Sequence, residues 1–102
     1  MHYILDKNDE PVKVDLMTWA NWFEDESRTI AKTTVGEMDI STVFLGLDHS
    51  FGKGEPLLFE TMIFGGKHDQ NMWRYSTWEE AVAGHKAARE LVSIKGVRNE
   101  KS

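Results

Sequence analysis

STVFLGLDHSFGKGEPLLFETMIFGG, Ser41 to Gly66, is the stretch that decides the fold class. Two apolar, β-prone runs flank a polar loop that carries Asp48, His49, Phe51 and the closely spaced Gly52 and Gly54. β-Branched and aromatic residues favour extended backbone, and a glycine-bearing centre lets the chain reverse, so the stretch reads as an antiparallel hairpin. Over Asp39–Leu47, Val43, Leu45 and Leu47 alternate with Ile40, Thr42 and Phe44. Over Leu57–Phe64, Leu57, Phe59 and Ile63 alternate with Leu58, Met62 and Phe64. Both faces are largely apolar, whereas an antiparallel strand with one wet face alternates more cleanly. The pattern predicts central strands covered on both sides, the second cover being a helix, a long loop or another subunit.

Working outward, His2–Leu5 and Val12–Val14 are short β-prone runs joined by the turn-rich Asp6–Pro11, a second hairpin. Asp15 is placed to accept hydrogen bonds from the first free amides of a helix, and Leu16, Trp19, Ala20 and Phe23 follow at helical spacing. That helix is expected over Leu16–Glu26. Arg28–Val35 reads as a strand ended by Gly36-Glu37, and Trp73–Ser76 as a short one. Thr77-Trp-Glu-Glu80 is a capping box, in which the Thr hydroxyl and the Glu carboxylate satisfy each other's backbone amides. The last helix is expected from Trp78 to Ile94, ending near Gly96, with a stripe of Trp78, Ala81, Val82, Ala88 and Val92. The order is β-β-α-β-β-β-β-α: an α+β domain with an antiparallel sheet of about four to six strands and two helices. Residues 1–95 form the single domain and 96–102 a basic tail, read as flexible.

A chain of 102 residues buries a core without staples, and its 40% apolar content belongs to the globular class. It has no cysteine, which removes disulfides and thiolate zinc sites. No apolar run reaches the roughly 18 residues of a membrane span, and MHYILDKNDE does not read as a signal peptide, so a cytoplasmic protein is expected. The net charge of −5 argues against nucleic acid as a direct ligand, because backbone binding relies on Lys and Arg displacing counterions.

Four residues are candidates for chemistry. Asp48-His49 supplies a carboxylate and an imidazole at a strand end, but neighbours on an extended chain point apart. The plainer reading has Asp48 accepting from loop amides and His49 at the surface. His85 sits in the middle of the apolar stripe of the last helix, beside Gly84, which costs that helix about 1 kcal/mol relative to alanine. Something is therefore expected to approach that turn closely, and His85 to be a core histidine satisfied by a hydrogen bond. Glu60 interrupts an apolar strand, where a carboxylate must be paired, exposed or raised in pKa. If Glu60 met His85, the two would form the best site in the chain. Gly52 and Gly54 lack the spacing of a phosphate loop and read as turn residues. The four histidines lack ligand spacing, so no metal and no cofactor are expected. Trp22, beside the acidic Glu24–Glu26, is a candidate interface anchor, with Phe44 and Phe64 of the central strands alongside it.

Several segments resemble a family of small proteins encoded by bacteriophages and prophages, with no established function. They are Thr42–His49, Phe51-Gly52, Pro56–Gly66, Arg74–Ala81 with Gly84-His85, and, further out, Asp15–Trp19 and Ala31–Gly36. The resemblance implies a phage-encoded protein acting in the bacterial cytoplasm and assigns no residue a role. The expected function is a non-enzymatic accessory module that binds a protein of host or phage, or itself. The alternative is a small enzyme or ligand-binding protein with a pocket around His85, Glu60 and the Asp48-His49 loop.

Overall fold

The computed structural model describes residues 2–101, and side chains as far as residue 93. Its elements are β1 (His2–Leu5), β2 (Pro11–Val14), α1 (Leu16–Asp25), β3 (Thr29–Val35), β4 (Met38–Phe44), β5 (Phe59–Phe64), β6 (Met72–Tyr75) and α2 (Trp78–Lys101). The protein is thus α+β in the order the sequence implies. β1 and β2 pair as a hairpin, and β3-β4-β5-β6 form a four-stranded antiparallel meander.

The local signals act as expected. Asp15 caps α1, its Oδ1 accepting from the Thr18 amide at 2.8 Å. At the start of α2 the Glu80 amide donates to Thr77 Oγ1 at 3.1 Å, and the Thr77 amide donates back to Glu80 Oε1 at 3.2 Å. Beyond Gly96, where the sequence reading ended it, α2 continues to Lys101. The basic tail expected over 96–102 lies outside the residues whose side chains are described. β4 stops at Phe44 rather than Leu47, and past it the outgoing chain takes a second partner while the Leu45 amide still donates to the Leu58 carbonyl. The Tyr3 amide donates to the Gly46 carbonyl at 2.8 Å, and Leu47 bridges to His2, which ties the small hairpin to the sheet.

The meander has one closed face and one open face. Ile40, Thr42 and Phe44 of β4 and Phe59, Thr61 and Ile63 of β5 point to the closed side, each no more than 1% exposed. Against them α2 sets Ala81, His85, Ala88 and Val92, steps of four, three and four residues that keep one helical stripe on the sheet. α1 and the small hairpin extend this layer, Trp22, Phe23, Tyr3 and Leu5 packing against the Phe44–Phe59 end. Leu16, expected on the core stripe of α1, is 58% exposed, because the helix packs through the later residues Trp19, Trp22 and Phe23.

Of the covers expected for the second face, the described residues supply no helix. Ser41, Val43, Glu60 and Met62, with Phe64 beside them, alternate with the buried set, and by register they lie alongside Met72 and Arg74 of β6. Neither helix packs on this side: α2 spans β3 to β6 on the closed face and α1 meets β1.

Candidate functional site

The sheet's alternation and the α2 stripe bring three hydroxyls and one imidazole together in the middle of the closed face. His85 Nδ1 lies 2.7 Å from Thr42 Oγ1, and His85 Nε2 lies 2.9 Å from Thr33 Oγ1. Thr42 Oγ1 in turn lies 2.6 Å from Thr61 Oγ1, its cross-strand neighbour. The network separates two apolar clusters. Ile40, Ile63, Ala88 and Val92 lie on one side, and Phe44, Leu58, Phe59 and Ala81 on the other.

His85 is 7% exposed, and burial above all, with the Arg89 guanidinium adding to it, pushes its pKa below the ordinary imidazole value. The ring is therefore neutral at neutral pH, with one N–H and one lone pair. Both are used. The nitrogen bearing hydrogen donates to one threonine, the bare nitrogen accepts from the other, and the hydroxyl protons run along the chain in the matching direction. A buried polar group that makes all its bonds costs little, whereas one left short costs about 1–3 kcal/mol.

The order hydroxyl, imidazole, hydroxyl (Thr33, His85, Thr42) has the outline of a nucleophile–base–orienter triad. The electrostatics oppose that use. A threonine in the orienting position brings no negative charge to stabilise an imidazolium, and both influences on His85 disfavour its protonated form. The arrangement suits a satisfied core histidine, as the sequence suggested. The close approach expected at Gly84 is also present: a β-carbon there would overlap the Tyr75 ring and hydroxyl.

Glu60 does not join His85. It alternates with Thr61, so its side chain leaves the opposite face of the sheet, where its Oε2 accepts from Arg74 Nε at 3.0 Å on the neighbouring strand. The pair is partly exposed, 16% for Glu60 and 30% for Arg74. The pocket envisaged around His85, Glu60 and the Asp48-His49 loop is therefore not assembled, because the sheet itself stands between its two strongest members.

Asp48 organises its own loop. Its Oδ1 accepts from the Ser50 amide at 2.8 Å and the Leu57 amide at 3.0 Å, closing the segment between β4 and β5. The Ser50 amide above all holds this carboxyl below the usual carboxylate range. His49 Nδ1 lies 2.8 Å from the Leu47 carbonyl, which only accepts, so that nitrogen carries hydrogen and donates. Gly52 and Gly54 have φ of 79° and 81°, a conformation that glycine adopts without strain, and they serve as turn residues.

Of the candidate interface residues, Phe44 is corrected to a core residue: at 1% exposure it lies beneath Trp22, Phe23 and Phe59. Trp22 is half-buried, packed edge-on to Phe23 and Phe44 at centroid distances of 5.0 and 5.7 Å. Phe64, 45% exposed, stands on the open face. Sequence reasoning missed Thr33, Thr42 and Thr61. A signal for two of them was there: Thr42 between Ile40 and Phe44, and Thr61 between Phe59 and Ile63, are lone hydroxyls on otherwise apolar faces.

Among the described residues, no group of three or more His, Asp or Glu side chains is placed to hold a metal ion. No helix is long and apolar enough to cross a membrane among them. Comparison of the chain with protein-family models, with curated proteins and with solved structures gives no match.

Proposed function

We propose that this chain is a non-catalytic protein-binding module that docks through the open face of its four-stranded sheet. One observation carries the reading. Val43, Met62, Phe64 and Met72 occupy a sheet face on which neither helix packs, and the last two are 45% and 42% exposed. A wet antiparallel face is normally polar, and grouped apolar side chains on one are the mark of a surface meant for a partner. The charges on this face balance, with Lys32 and Arg74 against Asp39 and Glu60, so the net charge of −5 is carried elsewhere. A balanced face with an apolar centre suits a partner surface of the same kind. The resemblance to phage-encoded proteins gives the setting, an accessory protein in a bacterial host that modulates host or defence machinery, and a second copy of the chain is the alternative occupant.

The test combines sedimentation velocity with affinity capture from bacterial lysate, using the native chain and the Phe64→Ser and Met62→Lys variants. The expected result is a dimer, or one stoichiometric partner, that the native chain forms and both variants lose while staying folded. A strictly monomeric protein that captures nothing, or a partner both variants hold as tightly as the native chain, would overturn the reading.

A further inference from the structure

One helix cannot cover four strands. Neighbouring strands lie about 4.8 Å apart, so the outer two are separated by about 14 Å, whereas a helix with its side chains is about 10 Å across. Over β4 and β5 the cover is tight, but a groove is left along each flank of α2. The groove on the β6 side, about 320 Å³, is lined by Trp73, Tyr75, Gly84, Ala87, Ala88 and Leu91, with no charged side chain. The groove on the β3 side, about 330 Å³, has a floor of Ile30 and Ala31 and a wall of Trp78, Val82 and the ring of His85. Its remaining lining residues are Lys86 and Arg89.

Charge sets the two grooves apart. Neither Lys86 nor Arg89 belongs to an ion pair among the described residues, where Arg74–Glu60 is the pair formed. No carboxylate lines the β3-side groove. Beyond Ile30 and Trp78 a separate depression begins that does hold acids, Asp6, Asp9 and Glu26, against the single base Lys7. An occupant of the groove thus meets two cations and an imidazole along α2, with carboxylates past the tryptophan. Val82, 48% exposed on the wall, is an apolar surface that such an occupant would cover.

We propose that the groove between β3 and α2 binds a small organic acid. Lys86 and Arg89 take its carboxylate, and Ile30, Ala31, Val82 and Trp78 take a ring-sized apolar body. Two cations beside an apolar floor select for the combination and against either half alone. The acids beyond Trp78 set the orientation by repelling the charged end. The groove lies on the closed face, so this site is independent of docking through the open face.

The experiment is a nuclear magnetic resonance titration of the full chain with phenylacetate, 2-phenylacetamide and acetate. Phenylacetate is expected to shift the Ile30, Ala31 and Val82 signals saturably, with a dissociation constant on the order of 1 mM for a ligand of this size. The neutral amide and the bodiless acetate are expected to bind at least about tenfold more weakly. Lys86→Ala and Arg89→Ala, both at exposed positions, should together weaken phenylacetate about tenfold or more and leave the rest of the spectrum in place. Phe64→Ser should leave the titration unchanged. Equal binding of acid and amide, shifts mapping to Trp73 and Leu91 instead, indifference to the double variant, or no saturable shift would each overturn the proposal.

Discussion

The two faces of the β3–β6 sheet are built from the same strands and differ in every second residue. On the closed face Ile40, Phe44, Phe59 and Ile63 are shut beneath α2 and α1, and the polar groups among them find partners within the chain. On the open face the apolar residues Val43, Met62 and Phe64 are interleaved with Ser41 and Glu60, and Glu60 pairs sideways with Arg74 on the neighbouring strand. One face has stability as its main duty, and the other is free to do something else. Substitutions at neighbouring positions of one strand should therefore have unlike consequences.

The largest contrast is expected at Phe59. Replacing this fully buried ring by alanine should cost about 3–5 kcal/mol, read from the urea midpoint, because the cavity lies between α2 and the sheet and cannot collapse. An equal loss from Met62→Ala, three positions along on the other face, would break the distinction between the faces.

Next in size is the polar seam. Thr42→Val keeps the shape but leaves Thr61 and one nitrogen of His85 short of a partner, for an expected loss of about 1–3 kcal/mol. Removing the second hydroxyl as well should add little, since Thr61 is then no longer an unsatisfied group. A Thr42→Val/Thr61→Val pair whose losses simply add would show that the hydroxyls are not acting as one network.

The same seam gives the fold a pH dependence with a definite sign. The native pKa of His85 is depressed, so between the unfolded value of about 6.5 and the lower native value the unfolded chain binds a proton that the folded chain refuses. The stability that neutral His85 confers is complete above that unfolded value and is lost as the pH falls through the native one. Urea midpoints measured from about pH 7.5 down to about pH 5 should fall further for the native chain than for His85→Gln. Equal slopes would show that the ring is not held neutral.

How much of this was legible in the sequence follows from how far apart the interacting residues lie. The Asp15 cap and the Thr77–Glu80 box span three residues, and the pairing of β4 with β5 is written in two alternating runs on either side of one loop. Those elements could be read directly. The meeting of Thr33, Thr42 and Thr61 with His85 joins three strands to a helix, and it depends on which face α2 chooses. Alternation alone says that Glu60 and Thr61 point apart, not which of them the helix will cover. Glu60 drew notice as a carboxylate in an apolar strand, when the informative residue was the inconspicuous threonine beside it. The Arg74 that pairs with Glu60 is set by the β5–β6 register, which a four-residue strand specifies weakly.

Smaller effects belong to the open face. A double-mutant cycle on Glu60 and Arg74 should return about 0.2–1 kcal/mol, since a pair still reached by water gains little over its hydration. A coupling well above that would show that something else closes over the pair.

The smallest effect on stability is expected at Phe64, and there the comparison is sharpest. At 45% exposure on the last residue of β5, it loses little contact on truncation, so Phe64→Ser should move the free energy of unfolding by no more than about 0.5 kcal/mol. Docking through the open face, as proposed, gives this ring its use in what it meets there. The same variant should therefore abolish association while leaving the urea midpoint in place, whereas Phe59→Ala should lower the midpoint and weaken association only to the extent that it unfolds the chain. If Phe64→Ser destabilised the isolated chain as much as a core change, its ring would belong to the fold, and the open face would lose its claim to a partner.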